Sequence, residues 1–210
     1  MPGKDDMRIT TPLAGGLALL AALTACAAPQ ARPGDDSPYN GTEIEGAFTL
    51  PDLTFTDNEG ADYNLAADSA GTTTALFFGF TNCPDICPTT MADMAQAVDR
   101  LDPAEQDRFQ VVFVTADPDR DDPELLDMWL ESFDPSFTGL SGTIEDTDAA
   151  AADLGISIER PEDRSGDYQV GHGSQILVFS PAGTSELMWS YGTGPDAIAD
   201  DLHLLLKEDA

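Results

Sequence analysis

The sequence predicts an α/β domain built on a mixed β-sheet, and two observations carry that expectation. Two nearly unbroken apolar stretches, residues 72–80 and 109–115, are rich in β-formers, and each is followed by apolar residues at helical spacing. Strands alternating with helices imply a parallel pair. A later pair of apolar stretches is separated only by Pro181-Ala182-Gly183, which implies an antiparallel edge on the same sheet. The chain has 210 residues, enough for one such domain and a tail.

Taken in order, alternation at Phe48, Leu50, Leu53 and Phe55, the polar turn Asp57-Asn58-Glu59-Gly60, then Tyr63 and Leu65 read as a β-hairpin. Thr72 to Phe80 reads as a central strand buried on both faces. Met91, Met94, Ala95, Val98 and Leu101 give the next segment one apolar helical face. Phe109 to Thr115 is a second buried strand. Pro123 opens a helix whose inner face is Leu125, Leu126, Trp129, Leu130 and Phe133. Asp146 to Leu154 is a short alanine-rich helix. Residues 174–180 and 187–191 form the later strand pair, and a terminal helix from about Pro195 to Lys207 buries Ile198, Leu202, Leu205 and Leu206. This order is the layout of a thioredoxin-like domain with an added N-terminal β-hairpin.

Charge narrows the partners. With 9 Lys+Arg against 39 Asp+Glu the net charge is -30, which excludes binding to nucleic acid through its phosphates and disfavours a basic patch for anionic lipid. The hydrophobic fraction, 41%, is too high for a disordered acidic chain.

The first residues read as an export signal. Arg8 precedes an apolar run containing Leu17, Leu19, Leu20 and Leu23, shorter than the roughly 20 residues of a spanning helix. Leu23-Thr24-Ala25-Cys26 looks like a bacterial lipobox, in which Cys26 is lipidated after cleavage. Residues 1–25 are therefore expected to be a lipoprotein signal peptide, 26–38 a lipid-anchored flexible tether, and 39–210 the thioredoxin-like domain. The tether is rich in Ala, Pro, Gly and Asp. The expected location is extracytoplasmic, on the outer face of a bacterial cytoplasmic membrane, with contact to that membrane through the lipid anchor only.

The other two cysteines carry the chemistry. Cys83-Pro84-Asp85-Ile86-Cys87-Pro88 lies where the first buried strand ends and a helix opens. Backbone N–H groups at a helix start favour a thiolate, and in helical geometry Cys83 and Cys87 would share one face. That spacing suits a disulfide, a redox pair, or two sulfurs on one metal ion. A metal needs a further ligand, and Gly171-His172-Gly173, just before the strand Gln175 to Phe179, supplies one if the fold brings His172 beside the thiols. His203, inside the terminal helix, reads as a surface or interfacial residue, and Met91 and Met94 as core. Two sulfurs and one imidazole are a soft, low-coordinate set suited to Cu(I) and tolerable for Cu(II), whereas a structural zinc site would want a fourth protein ligand.

These segments resemble the Sco/SenC family of thioredoxin-like copper chaperones for cytochrome c oxidase assembly. Gly79 to Thr90 is similar to the family's C-P-x-x-C-P signature, with Asn82 where a histidine is common. Val114-Thr115-Ala116-Asp117-Pro118-Asp119-Arg120-Asp121 is similar to its D-P-x-R-D segment, and Phe137 to Gly142 to its F-x-G-L-x-G segment. Gly171-His172-Gly173-Ser174 resembles its D-H-S copper-ligand loop, with Gly171 in place of the usual aspartate. The resemblance implies that Cys83, Cys87 and His172 bind one copper ion, and that Asp117 supports the site or meets a partner. Arg120 is expected to pair with Asp121 or Asp122. The implied function is a metallochaperone delivering copper to the binuclear centre of oxidase subunit II, with Cys83 and Cys87 cycling between thiols and disulfide. Implied partners are that subunit's copper domain and other copper carriers or thiol reductants. The alternative is a thiol–disulfide oxidoreductase that reduces cysteines of the oxidase or of other exported proteins.

Overall fold

The computed structural model describes residues 37–208. The expected signal peptide, Cys26 and the tether as far as residue 36 lie outside the described residues. In chain order the elements are β1 (Thr42–Glu43), β2 (Thr54–Asp57), β3 (Asp62–Asn64), β4 (Thr73–Gly79), α1 (Ile86–Val98), the one-turn α2 (Pro103–Gln106), β5 (Phe109–Thr115), α3 (Pro123–Glu131), β6 (Thr138–Ser141), α4 (Ile144–Asp153), β7 (Ile158–Glu159), β8 (Gly171–His172), β9 (Ile176–Phe179), β10 (Ser185–Trp189) and α5 (Pro195–Glu208).

Eight strands form one sheet in the order β1-β10-β9-β4-β5-β6-β2-β3, while β7 and β8 pair separately. β4, β5 and β6 run parallel, and β9 lies antiparallel against β4 with β10 antiparallel beyond it. The fold is the thioredoxin-like α/β arrangement that the order of elements implies. All seven residues of β4 are buried because both faces of the sheet are covered. Ala75 and Phe77 join Met91, Met94, Leu126, Leu130, Ile198 and Leu202 in one core, so α1, α3 and α5 cover that face. Leu76 and Phe78 point the other way, into a second core with Phe55, Ala150 and Ala151.

The helix starts follow local chemistry. The Asp122 carboxylate accepts the Leu125 N–H at 2.9 Å to open α3, and Thr143 accepts the Asp146 N–H at 3.0 Å to open α4. Asp102 and Glu105 form a reciprocal capping box around α2, a signal that the pattern Asp-Pro-Ala-Glu already carries.

Two stretches depart from expectation. Phe48 and Leu50 do not begin a hairpin strand. Their segment runs beside β10 and its turn, with the Leu50 N–H on the Gly183 carbonyl at 2.9 Å, and β2 starts only after Pro51 breaks the ladder. The strand β6, Thr-Gly-Leu-Ser, has no apolar run to announce it. It packs so closely under α3 that a β-carbon on Gly139 would stand 2.6 Å from Leu130 Cδ1.

Asp201 on α5 is fully buried and ties the start of the domain to its end. It accepts from the Asn40 N–H at 2.7 Å, the Gly41 N–H at 2.8 Å and Trp189 Nε1 at 2.8 Å. Removing it strands the buried Trp189 N–H and unties two part-buried backbone donors. Asp201→Ala should therefore lower stability by about 2–4 kcal/mol, read as a fall in the urea midpoint with an unchanged slope.

Candidate metal centre

The site forms where β4 ends. After Gly79 the chain turns, with the Cys83 N–H on the Phe80 carbonyl at 3.2 Å, and α1 begins three residues past Cys83. The expected shared helical face for Cys83 and Cys87 does not occur. Pro84 disfavours helical geometry for the residue before it, and Asp85 is also non-helical at φ -146, ψ -66. Asp85 makes no side-chain cap; the Cys87 N–H instead points at Cys83 Sγ, 3.4 Å away. A sulfur thus fills the role usually taken by a capping oxygen. Both cysteines are free, Cys87 wholly buried and Cys83 half-buried.

His172 reaches this corner from the loop that enters β9, the sheet neighbour of β4. β8 pairs with β7, with His172 opposite Ile158. Its Nε2 stands 3.5 Å from Cys87 Sγ. Its Nδ1 stands 2.8 Å from the Gly173 carbonyl, which can only accept, so Nδ1 carries the proton and Nε2 holds a free lone pair. The rings of Phe77 and Phe80 meet the imidazole edge-on at centroid distances of 5.9 and 5.8 Å. Burial pushes the His172 pKa below its ordinary value, with the Gly173 hydrogen bond acting in the opposite sense. Burial pushes the Cys87 thiol strongly upward, and the Phe80 backbone only partly offsets it. The thiolate expected at the helix start is therefore not the resting state of Cys87. Desolvation outweighs the helix terminus, and the pair rests as S–H···N.

A cavity of about 340 Å³ opens beside this pair, lined among others by Phe80, Cys83, Pro84, Ile86, Val170 and His172. Cys87 and His172 are already in contact and Cys83 stands at the cavity. Among the described residues no trio of His, Cys, Asp or Glu closes to metal-ligand distances, so the three donors share a corner without forming a closed ligand set. The donor set fits a soft ion: two sulfurs, and an imidazole nitrogen whose lone pair faces Cys87 Sγ.

Asp117 is not at the sulfurs. It is buried, accepts the Tyr168 hydroxyl at 2.7 Å and pairs with Arg120. Arg120 lies 3.6 Å over the Tyr168 ring and donates to the Tyr168 carbonyl at 3.0 Å. The expected pairing of Arg120 with Asp121 or Asp122 is thus corrected to Asp117, because Asp121 turns inward and Asp122 caps α3. This brace fixes the segment that leads into His172. His203 pairs with Glu105 at 2.8 Å, far along the chain from the centre, and Met91 and Met94 are buried core. Sequence reasoning missed Asp121 as a structural residue. It is wholly buried and accepts from the Thr81 N–H, the Thr81 hydroxyl and the Thr115 hydroxyl at 2.9, 2.6 and 2.6 Å.

A family model described as SCO1/SenC matches residues 40–207. The chain belongs to the SCO1/SenC family. Among relatives of this SCO1/SenC chain, the mitochondrial protein SCO2 homolog of Mus musculus is 35% identical over 142 residues, covering 66% of this chain and 55% of that protein. The crystal structure of yeast Sco1 with copper bound superposes with a TM-score of 0.68 at 25% identity, covering 81% of this chain and 90% of that one. A SCO1/SenC family lipoprotein from Bacillus anthracis str. Ames gives 0.67 at 25% identity, covering 77% and 97%. The chain spans about half the length of the curated SCO1/SenC relatives it matches.

Two measurements check the geometry. Nitrogen NMR of the metal-free protein should show His172 as the Nδ1–H tautomer, titrating below the ordinary histidine value of 6.5. The sign follows from linkage. With the folded value depressed, the contribution of His172 to stability is complete above pH 6.5 and is lost as the pH falls from there through the folded value. In the reduced protein at neutral pH, iodoacetamide should alkylate Cys83 well before Cys87, whose sulfur is sealed and protonated.

Proposed function

We propose that this chain is a copper carrier acting in cytochrome c oxidase assembly. The observation that carries the reading is the contact of Cys87 Sγ with His172 Nε2 while Nδ1 is satisfied by its own backbone. A histidine held in that tautomer against a buried sulfur presents a ligand lone pair, of which a bare dithiol has little need. The copper-bound yeast relative and the family membership support the choice of ion.

On this reading Cys83, Cys87 and His172 hold copper as cargo. Binding displaces the proton of Cys87, which burial otherwise retains, and His172 contributes its lone pair without a change of protonation. Cys83, half-buried at the cavity, is the sulfur that an incoming thiolate can replace first, so the ion passes by ligand exchange to the copper domain of oxidase subunit II. Oxidation of the two thiols to a disulfide, with two electrons and two protons passing to an oxidant, withdraws two of the three donors. Reloading then needs a thiol reductant. Action as a general thiol–disulfide reductase has less support, because it makes little use of the lone pair that His172 turns toward Cys87.

Residues 1–25 would serve as the signal peptide and Cys26 as the lipidated anchor, with the tether holding the domain outside the cytoplasmic membrane. No helix among the described residues is long and apolar enough to cross a membrane, and the Bacillus lipoprotein relative supports a lipid anchor.

The test is a Cu(I) titration of the reduced chain carrying Cys26→Ser, which leaves only the two site thiols. One ion per chain is expected. His172→Ala should weaken binding by about tenfold or more, since even loss of outer-sphere support costs that much. Equal affinity in the variant would remove His172 from the mechanism, and oxidised protein that still binds would remove the thiols.

A further inference from the structure

Cys83 is the sulfur of the centre that is not wholly buried, held by the Cys87 N–H at 3.4 Å. It precedes α1, it is half-buried, and the turn that carries it makes only one short-range backbone bond, from the Cys83 N–H to Phe80. What fixes the root of that turn is a carboxylate 38 residues further along the chain than Cys83. We propose that Asp121 is a positioning residue of the metal centre, setting through Thr81 where the Cys83 sulfur stands relative to Cys87 and His172. The inference deepens the copper-carrier reading and rests on it for its binding measurement.

Three features support it. Both carboxylate oxygens are engaged, and two of the three donors belong to Thr81, two residues before Cys83: the N–H at 2.9 Å and the hydroxyl at 2.6 Å. The third donor, the Thr115 hydroxyl at 2.6 Å, ends β5, the strand parallel to β4. Asp121 itself is immobile: its N–H donates to the Asp117 carbonyl at 3.0 Å and its carbonyl accepts the Ser141 hydroxyl at 2.8 Å. With no exposed surface, it has no water to take over any of these bonds. The side-chain hydrogen bonds of Asp121 go to threonines, none of them to a sulfur or the imidazole. It holds the turn through those bonds, and since its charge also raises the Cys87 thiol, the two effects must be told apart.

The chemistry separates position from charge. An asparagine at 121 can keep the pattern: its carbonyl accepts from the Thr81 N–H and the Thr115 hydroxyl, and its amide donates to the Thr81 hydroxyl, which can rotate to accept. An alanine strands both Thr81 donors and frees the turn.

The experiment compares parent, Asp121→Asn, Asp121→Ala and Thr81→Val, all in the Cys26→Ser chain. Cu(I) affinity is read by competition with a chromophoric chelator, and the rate of Cys83 alkylation is read on metal-free protein. Asp121→Ala should lose about 10- to 100-fold in affinity and alkylate several-fold faster at Cys83, with Asp121→Asn within about threefold of the parent in both. Parent-like values in Asp121→Ala would overturn the proposal. So would an Asp121→Asn variant as damaged as the alanine one, since that outcome assigns the effect to charge. If Asp121→Ala does not fold, Thr81→Val decides: a loss of about threefold or more supports the proposal, and parent affinity overturns it. A parent that binds no copper sinks the carrier reading alone, because the alkylation rates still test whether Asp121 places Cys83.

Discussion

One hydrogen bond directs the centre, from His172 Nδ1 to the carbonyl of the next residue, Gly173. A neutral imidazole has a single proton to place, and this bond places it on the side away from the sulfur. The bond is itself anchored, because the Gly173 N–H donates to the Ser157 carbonyl at 3.1 Å, beside β7. A continuous relay therefore runs from Ser157 through Gly173 and the imidazole to Cys87 Sγ.

The two halves of the centre are held by separate devices that meet at one corner. The cysteine half stands on the ends of β4 and β5, joined by the buried carboxylate of Asp121. The histidine half hangs on the chain between β7 and β8, braced by Tyr168 against Asp117 and Arg120. Besides the Cys87–His172 contact, the Asn82 amide ties the halves by donating to Asp167 at 2.9 Å. Asn82 and Asp167 are exposed, so this tie can yield to water at little cost, whereas the braces behind it cannot. The arrangement leaves rigidity at the back of the site and give at its mouth.

What was legible in the sequence depended on whether a residue acts locally or across the fold. Residues 73–79 and 109–115 announce themselves as strands because burial on both faces demands apolar side chains at every position. His172 was legible because glycines flank it and the order of elements places its loop beside the first helix. β6 escaped notice because a strand of Thr-Gly-Leu-Ser owes its existence to neighbours on both sides, and two-residue strands such as β7 and β8 leave no pattern to read. The spacing of Cys83 and Cys87 misled, since counting four residues as a helical turn overlooked what Pro84 does to the residue before it. Asp121 reads as one more acid in an acidic chain. Its partners, Thr81 and Thr115, become its partners only when two parallel strands end side by side.

The same contrast bears on how so acidic a molecule can offer a soft donor set. A shell of carboxylates attracts any cation and discriminates poorly, since oxygen donors suit hard ions as well as transition metals. The centre, by contrast, is a neutral S–H···N pair edged by Phe77 and Phe80, with the buried carboxylate of Asp121 engaged by threonines. A hard, strongly hydrated ion gains little there and must leave its water behind. A soft ion gains sulfur and nitrogen bonds that repay the loss of the Cys87 proton. On the copper-carrier reading, the burial that raises the Cys87 thiol sets the threshold, because an ion must bond to sulfur strongly enough to displace that proton.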